Sequence, residues 1–565
     1  MTLSEHRDAL LDPRGPLTLG HLRLAPRPSM EALQLGSVLF YDNIKMDTNS
    51  FGEIFLNLKQ HFQHLGINTF IDHRETLRGK NTEKIHILSE TLKALKPTAA
   101  IISLADMGIT PAMITLAIAL EKMGIPTVCL CAGPGIKLAK AHAYYRAGTL
   151  CLVELHLDHS DSIDHIRNTI KAALPLIIKQ LTLPVKDLSP IVSIPHAVDP
   201  HDAHPDGFMH TTPSGAWLSA SENLDSLYEH FDNAHIGDGL PFIPPTPQRL
   251  AAMLQYCPYS AETVLFQDIG PSGTPLRVKE ALISAIMAGC KPLYVPIFLA
   301  TLRAMSQPAY GLTQAVTTSF GGGHFVLVSG PIAQQIQMHG GQGCLGPGFR
   351  ANATLGRAIH LVLSNVCRNV PGHADLACLS SSAEFSFCMS EDPTLSPWPT
   401  MNVEREDINA TCVMVLKAEP PHTLLDDTHQ SAAALIETII DCCTTKGSNN
   451  HFVAGSLVLV LNPDHAHLLA KAGYSKEGLR QTLHAEARVR KNPHSSQGIV
   501  GLPNTINTHS EHFVTRRTSD VHIVVAGGQG GHSAIILPWA LYSDPVYETL
   551  HLANGKLARD INDYT

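Results

Sequence analysis

Short apolar runs alternate with amphipathic segments from Gly36 to about Pro195. The apolar runs predict these strands: Ser37–Tyr41, Ile67–Ile71, Ala99–Leu104, Thr127–Cys131 and Cys151–Leu157. The segments between and after them have helical spacing: Phe51–Leu65, Thr82–Leu95, Pro111–Met123, Ile136–Arg146 and Ser162–Gln180. This alternation predicts an α/β protein whose first domain, residues 36–195, is a doubly wound, Rossmann- or flavodoxin-like parallel sheet with helices on both faces.

The pattern changes after residue 195. Residues 196–236 are rich in Pro, His, Asp and Ser and show little periodicity before Leu224, which predicts a linker or an arm over the surface. Periodic segments then resume over a larger α/β unit, in which the stretch from Val326 resembles the stretch from Leu457. Each reads as strand, Pro turn, helix, Gly and longer helix, so we expect two pseudo-repeated halves, residues 237–420 and 422–552.

Composition limits the class of partner. The chain has 565 residues, 44% of them hydrophobic, and a formal net charge of −9. It can bury several cores, but it offers no basic surface for nucleic acid or anionic lipid. Its 12 Cys form no CxxC pair and its first residues hold no long apolar stretch, which favours a cytoplasmic protein that does not span a membrane. A small-molecule substrate is therefore expected, while a cofactor, a metal and a homo-oligomeric state are left open.

The loops that follow the strands of the first domain carry polar residues. Asp42 and Asn43 follow the first strand, and Asp106 follows the third. Thr110 precedes a proline, which predicts a helix N-cap with free backbone N–H groups facing the loop. Because these loops meet at the ligand-binding edge of a parallel sheet, we expect Asp42, Asn43, Asp106 and Thr110 to bind substrate, although turn chemistry alone also selects such residues.

Several stretches of the first domain resemble the UGSC-type (seleno)protein family: Val38–Asn43, Asp106–Thr110, Ala119–Gly124 and Ile125–Cys131. That family carries a selenocysteine or cysteine, Gly, Ser and Cys in the third loop. The resemblance places Met107 and Thr110 at the two redox positions, and neither side chain can form a thiolate or a disulfide. It therefore implies a first domain whose redox motif is degenerate.

The larger unit resembles the module found beside or fused to UGSC-type domains. The matching stretches are Gly237–Pro247, Ala285–Tyr294, Gly343–Ala358, Glu384–Glu391, Ser396–Trp398 and Val524–Ala534. The resemblance covers most of the chain, but it implies no particular reaction. Any chemistry must therefore be inferred from the residues of the larger unit.

A glycine-rich stretch from Gly340 leads into a predicted helix with several candidate side chains. Cys344 lies among the glycines, which makes it the more accessible candidate for a nucleophilic thiol. Arg350 and Arg357 bracket Asn352, an arrangement that suits a carboxylate or a phosphate. An ordinary surface ion pair and a buried structural cysteine are the alternatives.

Two further groups complete the candidate site. Gly528 and Gly530 lie in a glycine-rich turn before His532 and Ser533, where a nest of backbone N–H groups could hold an oxyanion or carboxylate. Glu391 and Glu404 flank an irregular stretch long enough for an active-site loop. The predicted catalytic residues are thus Cys344, Glu391, Glu404 and His532, and the remaining candidates are predicted to bind substrate.

The sequence favours an enzyme that acts on a small polar, carboxylate-bearing molecule by non-redox addition, elimination or hydrolysis, as a lyase or hydrolase. One alternative is a metal-dependent enzyme that uses some of the 32 His, or a redox enzyme based on Cys344 or Cys388. The other is a non-catalytic ligand-binding or assembly protein, which the loss of both thiols in the first domain would suit.

Overall fold

The computed structural model describes residues 7–17, 19–41, 52–72, 82–103, 109–133, 135–157, 161–188, 206–211, 216–427, 431–448, 450, 454–490, 511–539 and 544–565. None of the helices in these ranges is both long enough and apolar enough to cross a membrane. Asp42, Asn43 and Asp106 lie outside the described residues.

The first domain contains a five-stranded sheet in the order β2-β1-β3-β4-β5, and every neighbouring pair is parallel. The strands are β1 (Ser37–Tyr41), β2 (Asn68–Asp72), β3 (Ala99–Ile102), β4 (Thr127–Ala132) and β5 (Leu152–Leu155). The helices are α1 (Met30–Leu35), α2 (Gly52–His64), α3 (Thr82–Ala94), α4 (Thr110–Lys122), α5 (Gly135–Ala147) and α6 (Ile163–Thr182). The predicted α/β architecture of this domain is confirmed.

The central strands of this sheet are apolar because helices cover both faces. All residues of β3 and β4 are buried. Helix α2 contacts α6, while α4 contacts both α3 and α5, which gives two helical layers. The predicted N-cap is wrong: Ile109 occupies that position, and Thr110 is the buried first residue of α4 with Pro111 after it.

The larger unit contains two four-stranded sheets and two small sheets of two strands each. Its strands are β6 (Val264–Ile269), β7 (Thr274–Arg277), β8 (Gly323–Ser329), β9 (Cys388–Ser390), β10 (Cys412–Ala418), β11 (His422–Leu425), β12 (Leu457–Leu461), β13 (Arg488–Arg490), β14 (Glu511–Phe513), β15 (Val521–Val525), β16 (His532–Ile536) and β17 (Val546–Thr549). The first sheet has the order β17-β10-β8-β9 and the second β11-β16-β12-β15.

Apart from short 3₁₀ turns, seventeen helices have both ends within the described part of the chain. Those of the larger unit and the segment before it are α7 (Leu224–Asn233), α8 (Pro247–Leu254), α9 (Val278–Ala288), α10 (Val295–Ser306), α11 (Leu312–Val316), α12 (Pro331–Gln335), α13 (Arg350–Asn365), α14 (Met401–Arg405), α15 (Ala432–Cys443), α16 (Pro463–Lys471) and α17 (Lys476–Glu486).

The two sheets repeat one pattern of pairing. In each, an edge strand and the next strand are antiparallel, the second and third are antiparallel, and the third and fourth are parallel. Thus β8 corresponds to β12, as the internal sequence comparison suggests. The edge strands are exchanged, because β11 follows β10 along the chain but pairs with β16, while β17 follows β16 but pairs with β10.

The two sheets share an apolar core. Side chains from β8 and β10 of the first sheet, such as Leu327 and Met414, lie in one cluster with Val460 of β12 and Ile536 of β16 from the second. Their burial from both sides removes most of their apolar area from water, which is the main contribution that holds the halves together.

Several apolar residues in the described parts of segment 196–236 pack into the core of the larger unit, so these parts are more than a surface linker. Leu11, near the N-terminus, bridges to Phe208, and Ala9 bridges to Ser219. Helix α7 buries Leu227 and Phe231 in the same core. Before Leu224 the buried residues Met209 and Leu218 are too widely spaced to show a periodic pattern, whereas the apolar residues of α7 follow helical spacing.

Helix α5 fixes the first domain to the larger unit. Its Arg146 donates to both carboxylate oxygens of Asp268, at 2.8 and 2.5 Å, and to the carbonyl oxygen of Gly270. The ring of Tyr145 lies edge-on to that of His373, with 6.1 Å between their centroids. Burial lowers the pKa of Arg146 to about 10, so this guanidinium remains charged at neutral pH.

Candidate active site

A cavity of about 390 Å³ opens beside helix α13. Its wall is formed by three segments: residues 232–239, one face of α13, and the loop of residues 370–385. The polar side chains on this wall belong to Asp232, His235, Asp238, His360, Ser364, Asp375, Ser380, Ser381 and Glu384. The cavity is thus rich in groups that can exchange protons, in the size range of small-molecule sites.

Close backbone packing places the carboxylate of Glu384 at the cavity. Gly321 lies so near Ser380 that a Cβ on the glycine would come within 2.6 Å of the serine Cα. Ser380 itself has a φ of 57°, in the left-handed region that non-glycine residues seldom adopt. Its hydroxyl donates to Glu384 Oε2 at 2.5 Å, which orients that carboxylate.

Lys417 lies behind Glu384 at the end of β10. Its ammonium nitrogen is 3.7 Å from Glu384 Oε1, and only 3% of the residue is exposed. Burial lowers the pKa of Lys417, while the charges of Glu384 and Asp375 oppose that effect. A desolvated lysine next to carboxylates is an arrangement that structural ion pairs and proton-transfer sites share.

Burial also shifts the pKa values of His360 and Asp375 on the cavity wall and of His324 behind the wall. Burial lowers the pKa of His360 and holds that of His324 well below its usual range, so both imidazoles are neutral near pH 7. Burial also raises the pKa of Asp375, and the nearby charge of Glu384 adds to the effect. His324 Nδ1 and the hydroxyl of Tyr310 are hydrogen-bonded at 2.5 Å. Neutral histidines and carboxylates together can donate and accept protons near neutral pH.

Among the side chains predicted from the sequence, Arg357 contacts a residue of the cavity wall. Its guanidinium makes a bidentate pair with Asp238, at 2.7 and 2.9 Å, and Asp238 lines the wall. Arg350 donates instead to the carbonyl oxygen of Gly289. Asn352 is buried, and its amide group holds the backbone of His339 and Cys344. These three residues are therefore engaged by the protein itself and do not form a fork toward a ligand.

The expected accessibility of Cys344 is wrong. Only 7% of the residue is exposed, and its side chain lies in the apolar cluster between the two sheets. Burial raises the pKa of its thiol, which opposes formation of the nucleophilic thiolate. Cys388 is also buried, and burial raises its pKa as well.

The predicted nest does contact a carboxylate, but this carboxylate belongs to the chain. Gly530 N donates to Asp464 Oδ2 at 2.7 Å, and Gly527 N donates to the carbonyl oxygen of Gly340 at 2.8 Å. Gly528 lies against Gln342, whose Cγ would be 2.9 Å from an added Cβ. The two glycine-rich stretches therefore meet, and their contacts join the halves.

Ser533 pairs with a histidine that the sequence did not single out. The Ser533 hydroxyl and His465 Nδ1 are 2.7 Å apart, and His465 Nε2 lies 2.8 Å from the carbonyl oxygen of Asp426. Asn462 N also donates to Ser533 Oγ at 3.0 Å. Both Ser533 and His465 are buried, whereas the side chain of His532 is exposed on the other face of β16. These contacts fix β16 to the start of α16.

Glu391 and Glu404 belong to a polar network between the halves. Glu391 is buried, and its Oε2 accepts from Ser329 Oγ at 3.0 Å and from Met401 N at 2.7 Å. Lys476 lies 3.6 Å from Glu391 and 3.3 Å from Glu404, which also pairs with Arg480 at 3.0 Å. Burial raises the pKa of Glu391, but these partners stabilise its charged form. The network packs α17 against the first half.

Within the ranges that the structure describes, no group of three or more His, Cys, Asp or Glu side chains is arranged to hold a metal ion. Comparison with protein-family models, curated proteins and solved structures found no match. The resemblance to the UGSC-type family therefore stays a prediction.

Two features of the sequence indicate residues at or behind the cavity. Lys417 is the single charged residue of β10, in a run that is otherwise apolar and fully buried. A charge in such a run needs a buried partner. His324, directly after three consecutive glycines, is a second signal, since glycines permit the close packing seen at Gly321.

Proposed function

We propose that the protein is an enzyme that acts on a small polar molecule in this cavity by non-redox acid–base chemistry, as a lyase or hydrolase. The observation that carries the proposal is the arrangement of Glu384, His360 and Asp375 on the wall, with Lys417 paired to Glu384 behind it. Burial shifts the pKa values of His360, Asp375 and Lys417, and titratable groups of this kind around a cavity are typical of catalytic sites.

The roles follow from the charges. Glu384, oriented by Ser380 and Lys417, is the general base. His360 is neutral near pH 7 because burial lowers its pKa, and it is placed to relay a proton to a leaving group. Burial raises the pKa of Asp375, so this carboxyl group takes up a proton more readily than an exposed aspartate and is assigned the second proton-exchanging role. None of the described residues that line the cavity is a cysteine, which argues against thiol redox chemistry at this site.

The charges on the cavity wall restrict the charge that a substrate can carry. Four of its described residues are acidic, Asp232, Asp238, Asp375 and Glu384, and none is Lys or Arg. Arg357 and Lys417 each neutralise one of these carboxylates from behind the wall. A carboxylate on the substrate would meet like charges, so the cavity favours a neutral or amino-bearing polar molecule over the carboxylate-bearing one predicted from the sequence. A cytoplasmic location and a homo-oligomer remain predictions.

The test is a substrate screen on the wild-type protein and its Glu384→Gln and His360→Gln variants. The proteins are incubated with a pool of small amides, esters, amino alcohols and hydroxy acids, and consumption is followed by mass spectrometry. Loss of one acid–base group lowers turnover by about 10²- to 10⁴-fold. Glu437→Gln, at an exposed position of α15, is the matched control and keeps wild-type turnover.

Two outcomes contradict the proposal. Turnover that persists in both cavity variants places the chemistry elsewhere. Binding of pool members without any turnover by the wild-type protein favours the alternative of a non-catalytic ligand-binding protein. Far-ultraviolet circular dichroism of each variant separates loss of a catalytic group from loss of the fold.

A further inference from the structure

A second, much smaller void lies directly behind the cavity. Its volume is about 10 Å³, and it shares His360, Asp375 and Glu384 with the cavity wall. Its remaining polar lining includes Asn369 and Lys417. A void of this size is at the lower limit for one water molecule and is too small for any larger ligand.

Asn369 gives this void an acceptor that lacks a partner. The residue is 8% exposed, and its Oδ1 is buried without a hydrogen-bond partner among the described residues. Its backbone is fixed, since its N–H donates to the carbonyl oxygen of Leu363 at 3.0 Å and the preceding Arg368 has a φ of 61°. A buried amide oxygen held in this way is costly unless a donor reaches it.

The other side of the void supplies the partners that a bound water needs. Lys417 has three N–H groups to donate, and Glu384 Oε1, 3.7 Å from its nitrogen, is an acceptor. An ordered buried water makes about three hydrogen bonds, and Asn369, Lys417 and Glu384 provide that number in suitable kinds. The polar part of the lining thus offers a water both donors and acceptors, while apolar side chains such as Val316 and Leu363 line the rest of the void.

We infer that this void binds one water molecule, which Asn369 and Lys417 hold beside Glu384 and which is the attacking nucleophile of a hydrolytic reaction. This inference rests on the proposed function and narrows it from lyase or hydrolase to hydrolase. The substrate class is a small carboxylic amide or ester that occupies the cavity with its acyl carbon toward Glu384. Water is the only co-reactant.

The reaction balances without a further group. The water oxygen forms a bond to the acyl carbon as one water proton passes to the carboxylate of Glu384. The bond between the acyl carbon and the leaving nitrogen or oxygen then breaks, and the leaving atom takes that proton back, directly or through His360. The products are a carboxylic acid and an amine or alcohol, and Glu384 returns to its charged form.

A crystal structure of the wild-type protein tests the water site without any substrate. We expect one ordered water within hydrogen-bond distance of Asn369 Oδ1, and none in the same place in an Asn369→Leu variant. A wild-type structure with no water there, or with Asn369 Oδ1 bonded to a protein donor, overturns the inference. This result does not depend on whether the screen has found a substrate.

Labelled water tests the chemical role. With a substrate from the screen, a single turnover in H₂¹⁸O places one ¹⁸O in the acid product. Asn369→Leu lowers kcat by about 10²-fold, the effect of mispositioning one acid–base partner, with KM unchanged because the residue lies behind the cavity. Asn369→Asp, which keeps an acceptor oxygen, recovers part of this loss, and Asn168→Leu, at an exposed position of α6, keeps wild-type kcat.

The two proposals fail in different ways. If Glu384→Gln abolishes turnover but the product carries no ¹⁸O, the acid–base function stands and hydrolysis is wrong. If Asn369→Leu and wild type share the same kcat while ¹⁸O is incorporated, the attacking water lies outside this void. If neither cavity variant changes turnover, the proposed function itself is wrong.

Discussion

Acid should weaken the association of the two halves through His522. This histidine lies on β15 of the second sheet, and its Nδ1 is hydrogen-bonded at 2.8 Å to the hydroxyl of Tyr547 on β17 of the first. Burial lowers the pKa of His522 from 6.5 to about 4, and the positive charge of Arg480 acts in the same direction. The folded protein therefore holds this imidazole in its neutral form.

The sign of the effect follows from proton linkage. The folded pKa is depressed, so the unfolded chain takes up a proton at a higher pH than the folded one does, and stability falls as the pH drops below 6.5. The full shift corresponds to about 3 kcal/mol. Between about pH 7 and about pH 5, His522 alone should remove about 2 kcal/mol from the free energy of unfolding.

The assay is urea denaturation of the wild-type protein and a His522→Gln variant at both pH values. Glutamine can still hydrogen-bond to Tyr547 but does not titrate, so the variant should lose about 2 kcal/mol less than wild type on acidification. His324 and His360, whose pKa values burial also lowers, contribute with the same sign in both proteins and cancel in the difference. His467→Gln, at an exposed position of α16, is the control. Equal losses in wild type and His522→Gln would refute the reasoning.

Two further predictions concern residues that the sequence proposed for chemistry. Arg357→Ala should lower the free energy of unfolding by about 3 kcal/mol. The substitution removes the bidentate partner of the Asp238 carboxylate, and the side chain of Asp238 is 1% exposed. A loss below about 1 kcal/mol in urea denaturation would contradict this prediction. Iodoacetamide should label the exposed Cys378 of the native protein first, whereas the buried Cys344 should react only on unfolding. The order of labelling is measured by mass spectrometry of the digested protein. Early labelling of Cys344 would contradict its burial.

The strands of the first domain could be predicted from the sequence to within a few residues. A parallel sheet covered on both faces leaves continuous apolar runs, and β1, β3 and β4 are such runs. The correspondence between β8 and β12 was visible for the same reason. The sequence places the N-cap of α4 at Thr110, because Thr followed by Pro is typical of a capped helix. In the structure Thr110 is instead buried as the first residue of the helix.

The cavity was not predictable in the same way. His360 lies on α13, Asp375 and Glu384 lie nine residues apart on the loop of residues 370–385, and Lys417 lies on β10, so no local spacing connects all four. Side chains that the local motifs favour, among them Asn352, make their hydrogen bonds within the protein. The backbone groups of a glycine-rich turn need hydrogen-bond partners, and the same side-chain types that could bind a ligand also supply these partners. Only a folded chain reveals which polar groups are used internally and which face open space.

The exchange of edge strands has a consequence for synthesis on the ribosome. The first sheet needs β17, Val546–Thr549, to cover the open edge of β10, and all four strands of the second sheet lie between β10 and β17 along the chain. Until then β10, a fully buried and largely apolar strand in the finished protein, presents unpaired backbone groups. The strands of the second sheet are therefore synthesised while one edge of β10 is still unpaired, and an unpaired strand edge of this kind favours aggregation during folding.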